Sequence, residues 1–250
     1  MKDTPFFVGY LSPPRPLKLF LAVASVALVV MFGMVSWVIG TTQADPGPGS
    51  FRFDYGRQTV TGLIEADPYP MLHITEGTER LPAGRTVLMS GGGKIGVDDR
   101  ARPLSGHMAV VSGVVLERGD LEMIQARGGT RGVGPTMGEL PEVPFEDLGR
   151  WKLAGEICDG KCVAGAMSPG RGLAHRACAN LCLIGGVPPV FVSSAPVAGS
   201  EFLLIGGPDG GPLAPELLEF TALYISVEGA VQRRGDLLVF LIDPATIEVL

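Results

Sequence analysis

Two regimes of hydrophobicity divide this chain. From Leu19 to Ile39, twenty-one residues pass without a charge, and at 1.5 Å per residue a helix of that length covers about the 30 Å of a bilayer's hydrocarbon core. Beyond Ser50 the apolar positions fall into short runs, such as Met108 to Leu116 and Ala222 to Val231, rich in Val and Ile and bounded by Gly or Pro. Runs of that kind are strands. The pattern predicts one transmembrane helix followed by a mainly β body.

A cleaved signal peptide is the rival reading of the first region, because Thr42-Gln43-Ala44 loosely resembles a small-residue cleavage site. The apolar run exceeds the usual h-region of roughly 7–15 residues, which favours an anchor. Lys2, Arg15 and Lys18 precede the span, whereas the first basic residue after it is Arg52. The N-terminus is therefore expected inside and the body outside the cytoplasm. Trp37 falls near the outer end, where an indole suits the membrane interface. The layout is a cytoplasmic segment over 1–18, a single-pass anchor over 19–40 in a bacterial inner membrane, a linker over 41–50, and a periplasmic body.

That body reads as two copies of one unit. SGVVLERGDL at 112–121 matches EGAVQRRGDL at 228–237 in six of ten positions, and at the same offset of 116 VLMSGG (87–92) lies over LLIGGP (203–208). At the front of each copy TGLIEAD (61–67) resembles AGEICD (154–159), but at an offset of 93. The two offsets differ by 23, so the second copy holds about 23 residues that the first lacks, between Asp159 and the strand around Val190. Residues 127–149, rich in Gly and Pro, predict a linker between a first domain over 51–126 and a second over 150–250. Five short strands per copy, with a late hairpin closing over a turn, predict tandem OB-like barrels, the second carrying a helical Cys/His insertion over 158–186.

Composition and charge sharpen this in two ways. With 36 Gly and 21 Pro the chain is rich in turns, and 46% hydrophobic against 18% charged residues makes it globular. The net charge is −6, and removing residues 1–18 with three basic groups and one acid leaves −8. So acidic a body excludes a nucleic-acid partner. The expected partners are the membrane and another membrane or extracytoplasmic protein.

Several motifs imitate chemistry. Ser90-Gly91-Gly92-Gly93-Lys94 lacks the spacing of a phosphate-binding P-loop and is followed by Ile95; it is expected to be a hairpin loop. The Arg-Gly-Asp triplets at Arg118 and Arg234 are expected to be turns with a positive φ at Gly. His73 and His107 are expected to be structural.

All four cysteines lie in the insertion, as Cys158-x3-Cys162 and then His175-x2-Cys178-x3-Cys182. Leu173 to Ile184 favours a helix ended by Gly185-Gly186, which puts positions 175, 178 and 182 within about a 60° arc. Three chemistries compete for that stripe. A transition metal or iron–sulfur cluster uses thiolates and an imidazole. Disulfides suit an oxidising compartment. A redox-active thiol would draw on Lys161, Arg171 and Arg176.

Gly155-Glu156-Ile157, Asp159, Cys162, His175, Cys178-Ala179, Cys182 and Gly185-Gly186-Val187-Pro188 resemble a family of uncharacterised bacterial membrane-attached or exported OB-like proteins. Its signature is Asp-x-x-Cys, His-x-x-Cys-Ala-x-x-Cys and Gly-x-Pro. The resemblance implies a common set of Cys162, His175, Cys178 and Cys182, with Cys158 an addition, and it brings no known activity. The expected function is an anchored accessory or binding subunit, placed beside a membrane redox complex, with those four residues as ligands and Asp159 and Gly160 shaping the turn to Cys162. A disulfide-stapled interaction protein and a thiol–disulfide oxidoreductase are the alternatives.

Overall fold

The computed structural model describes residues 13–42 and 46–250. The readings that fall on residues 1–12 and 43–45, among them most of the cytoplasmic segment and part of the cleavage motif, lie outside the described residues. Helix α1 (Arg15–Thr42) contains the whole expected span. It is long and apolar enough to cross a membrane, and Leu19, Phe20, Phe32 and Trp37 are all exposed. Burial in a protein core therefore does not account for its composition. A signal sequence near an N-terminus has the same length and composition.

Residues 46–250 form a separate unit with a short lead-in strand β1 (Ser50–Phe51) and a first barrel of β2 (Gln58–Glu65), β3 (Met71–Glu76), β4 (Thr86–Ser90), β5 (Met108–Arg118) and β6 (Leu121–Ala126). Pairing runs β2–β3–β4–β6–β5 and back to β2, antiparallel throughout except for β4 with β6. A one-turn helix α2 (Asp98–Ala101) bridges β4 and β5, and β7 (Val133–Pro135) adds to β5. The second barrel repeats the circuit with β8 (Phe145–Asp159), β9 (Pro189–Val197), β10 (Ser200–Gly206), β11 (Tyr224–Arg234) and β12 (Leu237–Ile242), and β13 (Glu248–Val249) lies on β11. Again one pair, β10 with β12, is parallel. Both are closed five-stranded OB-like barrels.

The duplication is visible residue for residue. Moving β5 and β6 forward by 116 gives the bounds of β11 and β12. The connection from β2 to β3 is residues 66–70, whereas that from β8 to β9 is residues 160–188 and carries helix α3 (Arg176–Ile184).

Strand β12 reads LLVFLI and is buried at all six positions, because both of its faces are covered. Leu238, Phe240 and Ile242 fill the second barrel, where Phe240 meets Phe191 edge-on at 5.4 Å. Leu237, Val239 and Leu241 point the other way, into a core shared with Leu88, Leu121 and Met123 of the first barrel. Each fully buried side chain of this kind stabilises by roughly 1.5–3 kcal/mol. Leu88, Leu121 and Met123 are the 116-residue counterparts of Leu204, Leu237 and Val239, so the same positions come from both copies, as in an isologous dimer interface. The Gly/Pro-rich stretch 127–149 is accordingly not a spacer throughout. It supplies β7 and the first residues of β8, and the barrels it joins are one body.

Both Arg-Gly-Asp triplets are hairpin turns with positive φ, 56° at Gly119 and 62° at Gly235. The second also docks on the first barrel. Arg234 binds the Glu65 carboxylate and the Asp67 carbonyl, and Asp236 accepts from the Thr86 amide at 2.7 Å and pairs with Arg85 at 2.7 Å.

Candidate metal centre

The long connection after β8 is organised by a buried carboxylate. Asp159 ends β8 with no exposed surface; its Oδ1 accepts the Cys162 amide at 2.8 Å and its Oδ2 accepts His175 Nε2 at 3.0 Å. The first bond caps the π-type turn Cys162–Ala166, as expected of a residue shaping the approach to Cys162. The second ties that turn to the start of α3, where His175 closes a 3-10 turn (Leu173–His175) and serves as the N-cap. Helix α3 then presents Cys178 and Cys182 one turn apart. It ends at Gly185, whose amide bonds the Leu181 carbonyl.

Three sulfurs converge. The Sγ atoms of Cys162, Cys178 and Cys182 lie within 4.8 Å of one another, an arrangement that could hold a metal ion. His175 belongs to a neighbouring group with Asp159 and Cys162, again within 4.8 Å, so Cys162 is common to both. The expected four-residue stripe is thus split in two. His175 is not on the α-helix proper, and its ring turns towards Asp159 on one side and Met167 Sδ, at 3.0 Å from Nδ1, on the other. Cys158, admitted as a fifth donor, is elsewhere: it is fully buried in the core between the barrels, its thiol 3.9 Å from Glu156 Oε2. No sulfur is bonded to another.

The first barrel completes the site. The Gly-rich loop after β4 is not a hairpin loop, since it leads to α2, and it lies against the cysteine module. Gly96 donates to the Gly185 carbonyl at 2.8 Å. A Cβ on Gly96 would stand 2.0 Å from the Gly186 oxygen and one on Gly185 1.9 Å from the Lys94 oxygen, so only glycine permits this approach. Lys94, at the loop's tip, brings its Nζ to 2.6 Å from Cys178 Sγ and 3.9 Å from Cys182 Sγ. From the other side, buried Lys161 donates to the carbonyls of Gly91 and Gly93, each at 2.7 Å. Its charge therefore clamps the loop, and Arg176 bonds the Glu219 carbonyl instead of serving a thiolate.

These contacts set the electrostatics. A hydrogen bond from the Cys162 thiol, with help from Lys94, lowers the pKa of Cys182 against the opposing effect of burial. Cys162 is correspondingly raised, by that same bond, by burial and by Asp159. The bond to Cys178 raises Lys94, burial lowers Lys161, and burial raises Cys158 far above the ordinary thiol range. His73 is a structural residue, bonded to Thr86 at 3.0 Å and Glu65 at 2.9 Å, and exposed His107 contacts only the Ser105 carbonyl.

Sequence reading missed Lys94, Lys161 as a clamp, and Met167. A signal for Lys94 existed: the Gly-rich stretch recurs in the second copy at 206–211 without a lysine, so only the copy facing the insertion carries the amine. Comparison with protein-family models, with curated proteins and with solved structures returns no match. The resemblance to exported OB-like proteins consequently rests on the quoted residues alone.

Proposed function

We propose that this protein is a membrane-anchored, extracytoplasmic accessory or binding subunit whose chemistry is a thiolate-rich metal site made of Cys162, Cys178 and Cys182, with His175 as the fourth ligand. The observation that carries the reading is the convergence of three sulfurs within 4.8 Å on a buried module. A tetrahedral ion with metal–sulfur bonds of about 2.3 Å needs sulfurs about 3.8 Å apart, which small side-chain shifts supply. The compactness of the triad favours a single thiophilic ion over an iron–sulfur cluster, whose thiolates must stand around several metal atoms. Asp159 supports the histidine as a ligand, because ring N–H to carboxylate is the usual means of orienting a metal-bound imidazole.

The distribution of Lys2, Arg15 and Lys18 supports a cytoplasmic N-terminus and a periplasmic body. The body's negative charge supports a protein partner and opposes nucleic acid. A membrane redox complex is the partner class that a thiolate metal site beside an anchor suits. The competing reading, a thiol–disulfide oxidoreductase, draws on the Lys94 amine beside Cys178. Elemental analysis of the full chain, purified in detergent without reductant or chelator, separates the two. One bound metal ion per chain, lost in a Cys162→Ser variant, is expected. Metal-free protein that turns over a disulfide substrate would overturn the metal reading.

A further inference from the structure

The pair formed by His175 and Met167 poses a hydrogen-bonding problem. A carboxylate only accepts, so the ring hydrogen of neutral His175 lies on Nε2, towards Asp159. Nδ1 then presents its lone pair to Met167 Sδ at 3.0 Å, and a thioether is itself only an acceptor. Two acceptors face each other with no hydrogen between them. The ring is almost wholly buried, so water does not relieve the contact. Packing does not explain the thioether either, for Met167 is 45% exposed. Its sulfur stands at the solvent edge of an otherwise buried group of donors.

A cation between the two atoms satisfies both. With bonds of about 2.0 Å to nitrogen and 2.3 Å to sulfur, a right-angled N–metal–S unit spans about 3.0 Å and a tetrahedral one about 3.5 Å, so the observed separation falls in the coordinating range. Resting on the metal reading above, we infer that Met167 Sδ and His175 Nδ1 are ligands adjoining the three cysteine sulfurs, and that the ion the site takes is Cu(I). The argument for the ion is its softness. Three sulfurs within 4.8 Å, a fourth of thioether type and one imidazole make a donor set that selects Cu(I), whereas a thioether adds little for Zn(II). Exposure of the Met167 sulfur makes it the donor an incoming or departing ion meets first.

The test uses the full chain in detergent, reduced and free of oxygen, titrated with Cu(I) against bicinchoninate and with Zn(II) against a chromophoric chelator. Wild type is compared with Met167→Leu, a volume-conserving change that cores tolerate, and with Cys178→Ser. Met167→Leu is expected to weaken Cu(I) binding roughly tenfold and to leave Zn(II) affinity unchanged. With selenomethionine incorporated, the selenium edge is expected to show a copper neighbour that Met167→Leu removes. If Met167→Leu leaves Cu(I) affinity and the selenium signal unaltered while Cys178→Ser weakens binding, a proton and not copper bridges the pair; the inference then falls and the three-sulfur site stands. If wild type binds neither ion, both fall.

Discussion

Removing the Asp159 carboxylate tests the architecture of the centre directly. Asp159→Ala leaves the Cys162 amide and the His175 ring N–H buried without an acceptor. Each orphaned donor costs roughly 1–3 kcal/mol, and bonds to a charged acceptor fall at the upper end, so the variant is expected to lose about 3–5 kcal/mol. Against a typical total of about 5–15 kcal/mol that is a large fraction. Asp159→Asn keeps an oxygen for the Cys162 amide but turns an NH2 towards His175 Nε2, so about half the loss is expected, roughly 1.5–3 kcal/mol. Urea unfolding of the full chain in detergent with a chelator, followed by far-ultraviolet circular dichroism, measures both. A double-mutant cycle with His175→Ala should return a coupling of about 1–3 kcal/mol. If Asp159→Ala lies within about 1 kcal/mol of wild type, or the cycle shows no coupling, the carboxylate does not join the turn to the helix and this account of the site is refuted.

Three further outcomes are expected. Maleimide applied to native protein at neutral pH should modify Cys178, which is partly exposed, before the other thiols, and Cys158 only on unfolding, as read by peptide mass spectrometry; native labelling of Cys158 would contradict its place in the inter-barrel core. Gly96→Ala forces the loop off the module, so it should destabilise by roughly 1–3 kcal/mol and speed labelling of Cys178 as Lys94 withdraws; unchanged labelling would refute the docking. At Glu65, burial acts to raise the pKa, but the bonds from His73 and Arg234 outweigh it and hold the carboxyl below the ordinary range. A depressed folded pKa gives stability that is complete above the unfolded value of about 4.3 and is lost as pH falls through the folded one. The urea midpoint of wild type should therefore drop between about pH 5 and 3, and Arg234→Ala should shrink that drop; an identical profile in the variant would rule out the pairing.

The span, the two barrels and the position of the insertion were legible because each leaves a periodic or repeated mark: a charge-free run, alternating strands, and paired offsets. What misled the reading was treating periodicity as one-sided. Strands such as LLVFLI are apolar at every position because a second face is covered, here by the other barrel, and that continuity argued against a free linker over 127–149. The site was half legible. Cysteine spacing on a helix found Cys178 and Cys182, and Asp159 was assigned its turn. The helix periodicity extended too far back, since His175 lies in a 3-10 turn where 100° per residue no longer holds. Lys94 comes from more than sixty positions earlier than Cys162, and no local pattern ties a loop to a helix so distant in the chain.

The near-symmetry of the barrel pair has a consequence for stoichiometry. Across the pseudo-dyad from the centre, the short connection 66–70 meets the loop after β10: the Tyr69 hydroxyl accepts the Leu213 amide at 3.1 Å, and Pro68 crowds Gly206. It is the same meeting of a β-connection with a loop of the other half, but without a thiol or an amine. Two identical subunits would have to carry either two such centres or none, whereas fusing the halves lets one junction specialise while its twin merely packs. A single ion per chain follows from that broken equivalence.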